Sequence, residues 1–370
     1  MPSCYHYEDL GLSTFGNPRS NACGTWRHGS QRRWYPRRVE GVPEKPPRPA
    51  EPAAAGYEDE VRPDLEQLLI ATSRTFALAI PLLPQPTRGQ VTIAYLLFRI
   101  ADTFEDAARW PRARRIEALA AFERLLAAPD PCAIAATGRA WAAEVPCDQP
   151  GYRDLLAELP QVLDAFFALA PAAVALTREH TVRTCHGMAG YVARTDDRGE
   201  LRLRDLDDLR GYCYVVAGIV GELLTELFLI GYPALAAGAA ILRQRSRAFG
   251  EGLQLVNVLK DAADDAVEGR RYLPEGVPCA EVLALARANL HTAAEYVLAL
   301  QRLGAERGLT AFTALPVELA YATLDRVETA GAGAKLTRRE VYALSQGVHR
   351  ALDRGEPPIS ALRTATGSAG

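Results

Sequence analysis

Two stretches of the chain carry acids at helical spacing where an apolar run ends. In Ala94-Tyr-Leu-Leu-Phe-Arg-Ile-Ala-Asp-Thr-Phe-Glu-Asp106 the acids are Asp102, Glu105 and Asp106, and in Leu253-Gln-Leu-Val-Asn-Val-Leu-Lys-Asp-Ala-Ala-Asp-Asp265 they are Asp261, Asp264 and Asp265. Residues at i, i+3 and i+4 share a helix face with Cβ atoms ~5–6 Å apart, and like charges placed there cost ~0.2–0.5 kcal/mol each. One such group is readily explained as a solvated helix end, because the chain has 45 acids. The repetition of the device points instead to a shared cation. Mg²⁺ takes oxygen ligands, keeps waters and commonly bridges to substrate phosphates, so Mg²⁺ with a diphosphate ligand is the leading chemistry. Acid–base glycoside hydrolysis also uses paired carboxylates, but it needs only two, and no sugar-binding aromatic platform stands beside these.

The elements that would position the acids are helical. Apolar residues recur at helical spacing from Tyr57 onward, and proline- and glycine-rich turns separate segments at about 62–80, 87–108, 111–127, 134–144, 152–168, 173–195, 205–230, 233–265, 279–307, 310–328 and 337–352. No series of alternating strands appears. The expectation is an all-α, single-domain helical bundle over residues 61–357, preceded by a disordered Pro/Arg-rich extension at 1–60 and followed by a flexible tail at 358–370.

Composition narrows the function classes. A net charge of −3 without a coherent basic face outside the N-terminal region makes nucleic acid an unexpected partner, and 48% hydrophobic content supports a sizeable core. The seven cysteines lack close pairs, and His180 and His186 stand six apart, so neither a disulfide framework nor a zinc site is indicated. A reducing, cytoplasmic setting fits. Apolar runs such as Val215–Val220 and Leu227–Ile230 are broken by Gly221, Glu222 and Glu226, short of the ~20 residues a membrane span needs. No apolar segment near the N-terminus reads as a secretory signal.

Five motifs in order resemble the squalene/phytoene synthase family, the head-to-head trans-isoprenyl diphosphate synthases. They are Ser73-Arg-Thr-Phe76, Arg99-Ile-Ala-Asp-Thr-Phe-Glu-Asp106, Tyr212-Cys-Tyr-Val-Val-Ala-Gly-Ile-Val-Gly221, Gln254 through Asp265, and Arg270-Arg-Tyr-Leu-Pro274. Weaker likenesses at Gly187-Met-Ala189, Leu315-Pro-Val-Glu-Leu-Ala320 and Lys335-Leu-Thr-Arg338 extend the match to about residue 352. The resemblance implies an isoprenoid synthase-like bundle around a central cavity, with the two aspartate motifs facing each other across its mouth.

Carried over by position, the resemblance implies metal ligation by Asp102, Asp106, Asp261 and Asp265, with Glu105 and Asn257 as auxiliary ligands. Arg74, Arg99 and Arg270 match arginines near diphosphate or reductant, a role suited to the bidentate guanidinium fork; the alternative for each is a surface ion pair, which the apolar helical setting of Arg74 and Arg99 disfavours. Gln254, Lys260, Phe76 and Tyr95 join the expected substrate-binding set. Tyr212 matches a tyrosine of the ionisation and rearrangement step; by periodicity alone it is a core tyrosine. Phe76, Tyr95 and Phe98 are either core or faces that stabilise a carbocation. Gly218 and Gly221, each costing a helix ~1 kcal/mol relative to Ala, fit a close backbone approach. Two residues depart from the family pattern. Lys260 stands where Arg is usual, and Val215 stands where Tyr or Phe is common.

The implied reaction is Mg²⁺-dependent condensation of two farnesyl diphosphates through a cyclopropyl diphosphate to squalene, with NADPH as reductant. The alternative is phytoene or dehydrosqualene synthesis without reductant. A non-catalytic scaffold that keeps the fold is a rival of another class, and intact aspartates at all four positions speak against it. An oily product implies contact with a membrane surface without an encoded anchor.

Overall fold

The computed structural model describes residues 63–362 except 74, 108, 145, 147–148, 197–198 and 268–269. The sequence-based reading of residues 1–60 falls outside that range. Fourteen α-helices are formed among the described residues: α1 (Pro63–Thr72), α2 (Phe76–Ala79), α3 (Thr87–Glu105), α4 (Arg112–Ala127), α5 (Pro131–Ala143), α6 (Pro150–Ala157), α7 (Leu159–Phe167), α8 (Pro171–Ala193), α9 (Leu206–Cys213), α10 (Ile219–Gly231), α11 (Ala239–Val267), α12 (Cys279–Arg302), α13 (Arg307–Ala330) and α14 (Arg338–Asp353). The all-α expectation holds, with two physical refinements. The segment expected at 62–80 is two helices, where Ser73 Oγ accepts from the Phe76 amide (2.9 Å) and restarts the chain. The segment at 152–168 divides at Glu158, which Pro160 follows at the start of α7.

Helix α3 is the axis of the packing. Its wide apolar face leaves most of its 19 residues buried. Val91, Ala94 and Phe98 enter one core cluster with Leu227, Phe228, Tyr296 and Phe312. Ile93, Leu96, Leu97, Ile100 and Phe104 enter a second with Leu119, Phe122, Leu159 and Phe166. A third cluster beneath α9 and α11 holds Tyr212, Leu255, Leu259 and Tyr272. The acids at the end of α3 are thus fixed by packing on both sides of their helix.

The run from Leu206 to Gly231 is long and apolar enough to cross a membrane by length and composition, with a mean hydropathy of 1.9 over its most apolar window, half of which is buried inside the fold. It extends beyond the short apolar runs read from the sequence because Gly221, Glu222 and Glu226 do not interrupt the helical path. The run is α9 and α10 joined by a π-helical turn, Tyr214–Gly218. Ile359 is fully buried, and the Ser360 amide donates to Glu318 Oε2 (2.9 Å), so packed chain continues past residue 358, where the sequence places the start of a tail.

A parallel pair of two-residue strands, β1 (Leu201–Arg202) and β2 (Arg270–Arg271), is absent from the sequence-based reading; Leu201 pairs with Arg270 and Arg202 with Arg271. Two residues carry no detectable period.

Candidate active site at the ends of two helices

The first acid cluster closes α3. Asp102 and Glu105 lie in its last turn, and Asp106 is its C-cap, its amide donating to the Asp102 carbonyl (2.8 Å). Carboxylates at a helix C-terminus oppose the helix dipole. The buried Arg115 guanidinium of α4 offsets this by donating to the last carbonyls, those of Phe104 (3.4 Å) and Glu105. Burial is the largest effect on Asp102 and raises its pKa to about 6, with Arg99 opposing and Asp106 adding. Glu105, only 5% exposed, is pushed well above the carboxylate range by burial and then by Asp106. Repulsion within the cluster is therefore present as the sequence spacing requires.

Arg99 lies one turn before Asp102 and pairs with it (Nη1 to Oδ2, 3.2 Å). Two phenols hold the guanidinium: Nε donates to Tyr95 Oη (3.2 Å) and Nη1 to Tyr152 Oη (3.4 Å), with both rings 5.5 Å from the guanidinium carbon. Tyr95 Oη in turn donates to the Thr72 carbonyl (2.7 Å), tying α3 to the end of α1, and its ring packs 5.7 Å from that of Phe76. Arg74 lies outside the described residues.

The second cluster lies near the end of α11. Asp261 and Asp265, one turn apart, share a face. Asp264 is exposed and approaches Lys335 (4.0 Å), so it belongs to a different face. Lys260 pairs with Asp261 (3.1 Å) and donates to Asn257 Oδ1 (3.4 Å). Asn257 itself is exposed and Gln254 half-buried. Burial raises Asp265 to about 6, with Arg270 as the main opposing charge.

One guanidinium joins the clusters. Arg270 Nη1 lies 3.4 Å from Asp106 Oδ1, and Nη2 lies 3.2 Å from Asp265 Oδ1. Arg271 pairs with Glu275 (3.7 Å), and Tyr272 follows it directly after β2. Tyr272 stacks on Tyr212 (4.6 Å, 23°), and Tyr191 meets Tyr212 edge-on (5.2 Å, 87°). Burial and then Glu105 drive the Tyr212 phenol well above its usual range, and the same two causes raise Tyr272. Both phenols therefore keep their protons beside the first cluster.

The π-helical turn begins two residues after Tyr212, where the chain crosses α11 closely. A Cβ on Gly250 would lie 1.9 Å from the Ala217 carbonyl oxygen, and one on Gly221 would lie 2.1 Å from that of Ser246. The close approach expected for Gly221 is thus to another helix, while a Cβ on Gly218 would first meet the Tyr214 ring (2.7 Å) and then Glu251 of α11 (3.3 Å). Val215 fills the space over Gly187, where a Cβ would come within 2.5 Å of a Val215 methyl group.

Sequence reasoning passed over Arg115, Tyr152 and Tyr272. Arg115 sits in a basic run that reads as a solvated face, and Tyr152 opens an otherwise unremarked helix. Tyr272 lies inside a quoted motif, but nothing local to it marks its contact with Tyr212.

Among the described residues, no three His, Cys, Asp or Glu side chains converge as a preformed metal cage. Arg99, Lys260 and Arg270 take up carboxylate oxygens instead. The donor chemistry nevertheless fits Mg²⁺, which binds through one or two carboxylates plus waters and phosphates rather than a closed protein cage. A cavity of about 170 Å³ lies beside Asp265, Arg270 and Tyr272. It is smaller than the ~300–1,000 Å³ of ordinary ligand pockets.

A bundle with these two acid clusters at neighbouring helix ends has the all-α isoprenoid synthase fold. The family model described as squalene/phytoene synthase matches residues 69–277, and the chain belongs to that family. Squalene synthase ERG9 of Saccharomyces cerevisiae is 31% identical over 215 residues, 57% of this chain and 45% of the yeast protein. Botryococcus squalene synthase of Botryococcus braunii is 29% identical over 204 residues, 54% of this chain and 39% of the relative. The matched region thus spans less than half the length of these relatives. Two solved structures share the fold. A complex of TcSQS with a ligand has a TM-score of 0.60 at 23% identity, covering 79% of this chain and 89% of that one. A dehydrosqualene synthase complex has a TM-score of 0.51 at 20% identity, covering 78% and 95%.

Proposed function

We propose that the protein is a Mg²⁺-dependent prenyltransferase that joins two farnesyl diphosphates head to head, through a cyclopropyl diphosphate, to squalene. The observation that carries the proposal is the meeting of Asp106 and Asp265, from opposed helices, on one guanidinium. That contact puts both acid clusters within reach of a single diphosphate. The squalene synthase relatives support the choice of product.

Asp102, Asp106, Asp261 and Asp265 would hold Mg²⁺, with Glu105 in support; bound there, the metal supplies the charge that draws diphosphate from the allylic carbon. The chain's own cations share that task. Arg99, held by Tyr95 and Tyr152, and Arg270 would donate hydrogen bonds to phosphate oxygens. Lys260 adds a point charge beside Asp261. Tyr212, protonated and stacked on Tyr272, offers its hydroxyl to the departing diphosphate and its ring face to the cation left behind. Phe76 and Tyr95 shield that cation from water. NADPH is the reductant that the family resemblance supplies for squalene. Squalene is an oil, and release at a membrane surface is part of the proposal.

The deciding experiment incubates purified protein with farnesyl or geranylgeranyl diphosphate and Mg²⁺, with and without NADPH, and identifies the hydrocarbon. Squalene formed only with NADPH supports the proposal. A forty-carbon product overturns it in favour of phytoene synthesis, and loss of all Mg²⁺-dependent diphosphate binding indicates a scaffold.

A further inference from the structure

We propose that Arg270 is a surrogate cation: in the metal-free protein its guanidinium holds Asp106 and Asp265 together, and Mg²⁺ binding releases it to meet the diphosphate. The inference rests on the reading of the site as a Mg²⁺–diphosphate centre. One planar group bridges carboxylates of α3 and α11, Nη1 to Asp106 at 3.4 Å and Nη2 to Asp265 at 3.2 Å. Without it, Asp106 and Asp265 would lose the cation that they share, alongside the buried Glu105.

The charges make the exchange directional. Arg270 offsets one of the two negative charges, whereas a dication offsets both, so metal displaces guanidinium at this position. Space for the displaced side chain exists beside it, because Arg270 and Asp265 both line the 170 Å³ cavity. The backbone need not follow: pairing of Arg270 with Leu201 anchors the residue on β2 while the side chain swings. Once released, the fork matches phosphate oxygens in the bidentate geometry that arginine favours. Arg270 is thus a positioning residue that competes with metal alone and cooperates with metal plus diphosphate.

This dual role predicts a reversal that neither a purely structural nor a purely phosphate-binding arginine would give. Isothermal titration would measure Mg²⁺ binding to the full chain, alone and with inorganic diphosphate, for wild type, R270Q and R270K. Mg²⁺ alone is expected to bind R270Q about fivefold or more tightly than wild type, because no competitor has to be displaced. With diphosphate present, the order inverts and R270Q binds more weakly. R270K keeps the charge but cannot span both carboxylates, and it falls between the two; it also serves as the folded comparison should R270Q be unstable in EDTA. A wild type that binds Mg²⁺ and diphosphate, beside variants whose affinity for Mg²⁺ alone is unchanged or lower, overturns the inference and leaves the proposed function standing. A wild type that binds neither ligand overturns both.

Discussion

The crossing of α10 and its π-helical turn over α11 sets where the second acid cluster stands, and G250A tests that dependence. A methyl group at 250 would sit 1.9 Å from the Ala217 carbonyl oxygen and 3.0 Å from the Gly218 nitrogen, whereas ordinary contact begins at 3.4 Å. The obstruction is backbone on both sides, so no rotamer relieves it and the helices must part by ~1.5 Å, an overpacking that costs at the upper end of ~1–3 kcal/mol. For a domain of roughly 300 residues, with an unfolding entropy of about 2.1 cal/mol/K per residue, a cost of ~3 kcal/mol corresponds to a fall in melting temperature of about 5 °C. Eleven residues further along α11 lies Asp261, so the same displacement carries the acids away from α3. Misplacement of about 1 Å can cost ~100-fold in rate. Differential scanning calorimetry and turnover assays on G250A and G347A read both effects; Gly347 has no atom within 4 Å of its would-be Cβ, so G347A serves as the neutral or slightly stabilised control. A G250A protein that melts and turns over like wild type would refute the claim that this contact positions the site.

Other perturbations separate charge from packing. Replacing Asp102 and Asp106 together with Asn should abolish Mg²⁺-dependent turnover while circular dichroism keeps its helical signal, because both side chains lie at the end of α3 outside its apolar stripe; retained turnover would remove the first cluster from the mechanism. In metal-free buffer Asp102 titrates at about 6 when folded against 3.8 in its unperturbed state, so its ionised form is disfavoured by folding. The stability that this site contributes is therefore complete below pH 3.8 and is lost as pH rises through 6. Chemical denaturation should accordingly show D102N gaining on wild type between pH 4 and 7.5, by at most ~3 kcal/mol; a constant difference would contradict the shift. Y212F removes only a hydroxyl from a stacked pair, so it should fold normally and lose roughly 100-fold in turnover. Since burial and Glu105 keep that phenol protonated, wild type should show no alkaline limb from Tyr212 in its rate profile.

What the sequence made legible follows from the range of the interactions involved. The acids were readable because repulsion between Asp102 and Asp106, or Asp261 and Asp265, is a property of one helix and its period. Gly218 and Gly221 were readable as a close approach, although their partner on α11 was not, since a missing Cβ states a need for space without saying what fills it. Tyr152 was not readable: its value to Arg99 depends on α6 packing against α3, and nothing local to Tyr152 encodes that. The π-helical turn escaped because Tyr214–Gly218 lies in a continuous apolar run with no polar residue to register a shifted period. Arg270 shows the same division within one side chain. Its motif pointed to phosphate, a partner that any arginine can take, but its dependence on Asp106 and Asp265 required two helices distant in sequence to end at one place. A cation placed between two repelling carboxylates contributes to the metal-free fold for the same electrostatic reason that it must yield to Mg²⁺, so stability without metal and affinity for metal should move in opposite directions when Arg270 is changed.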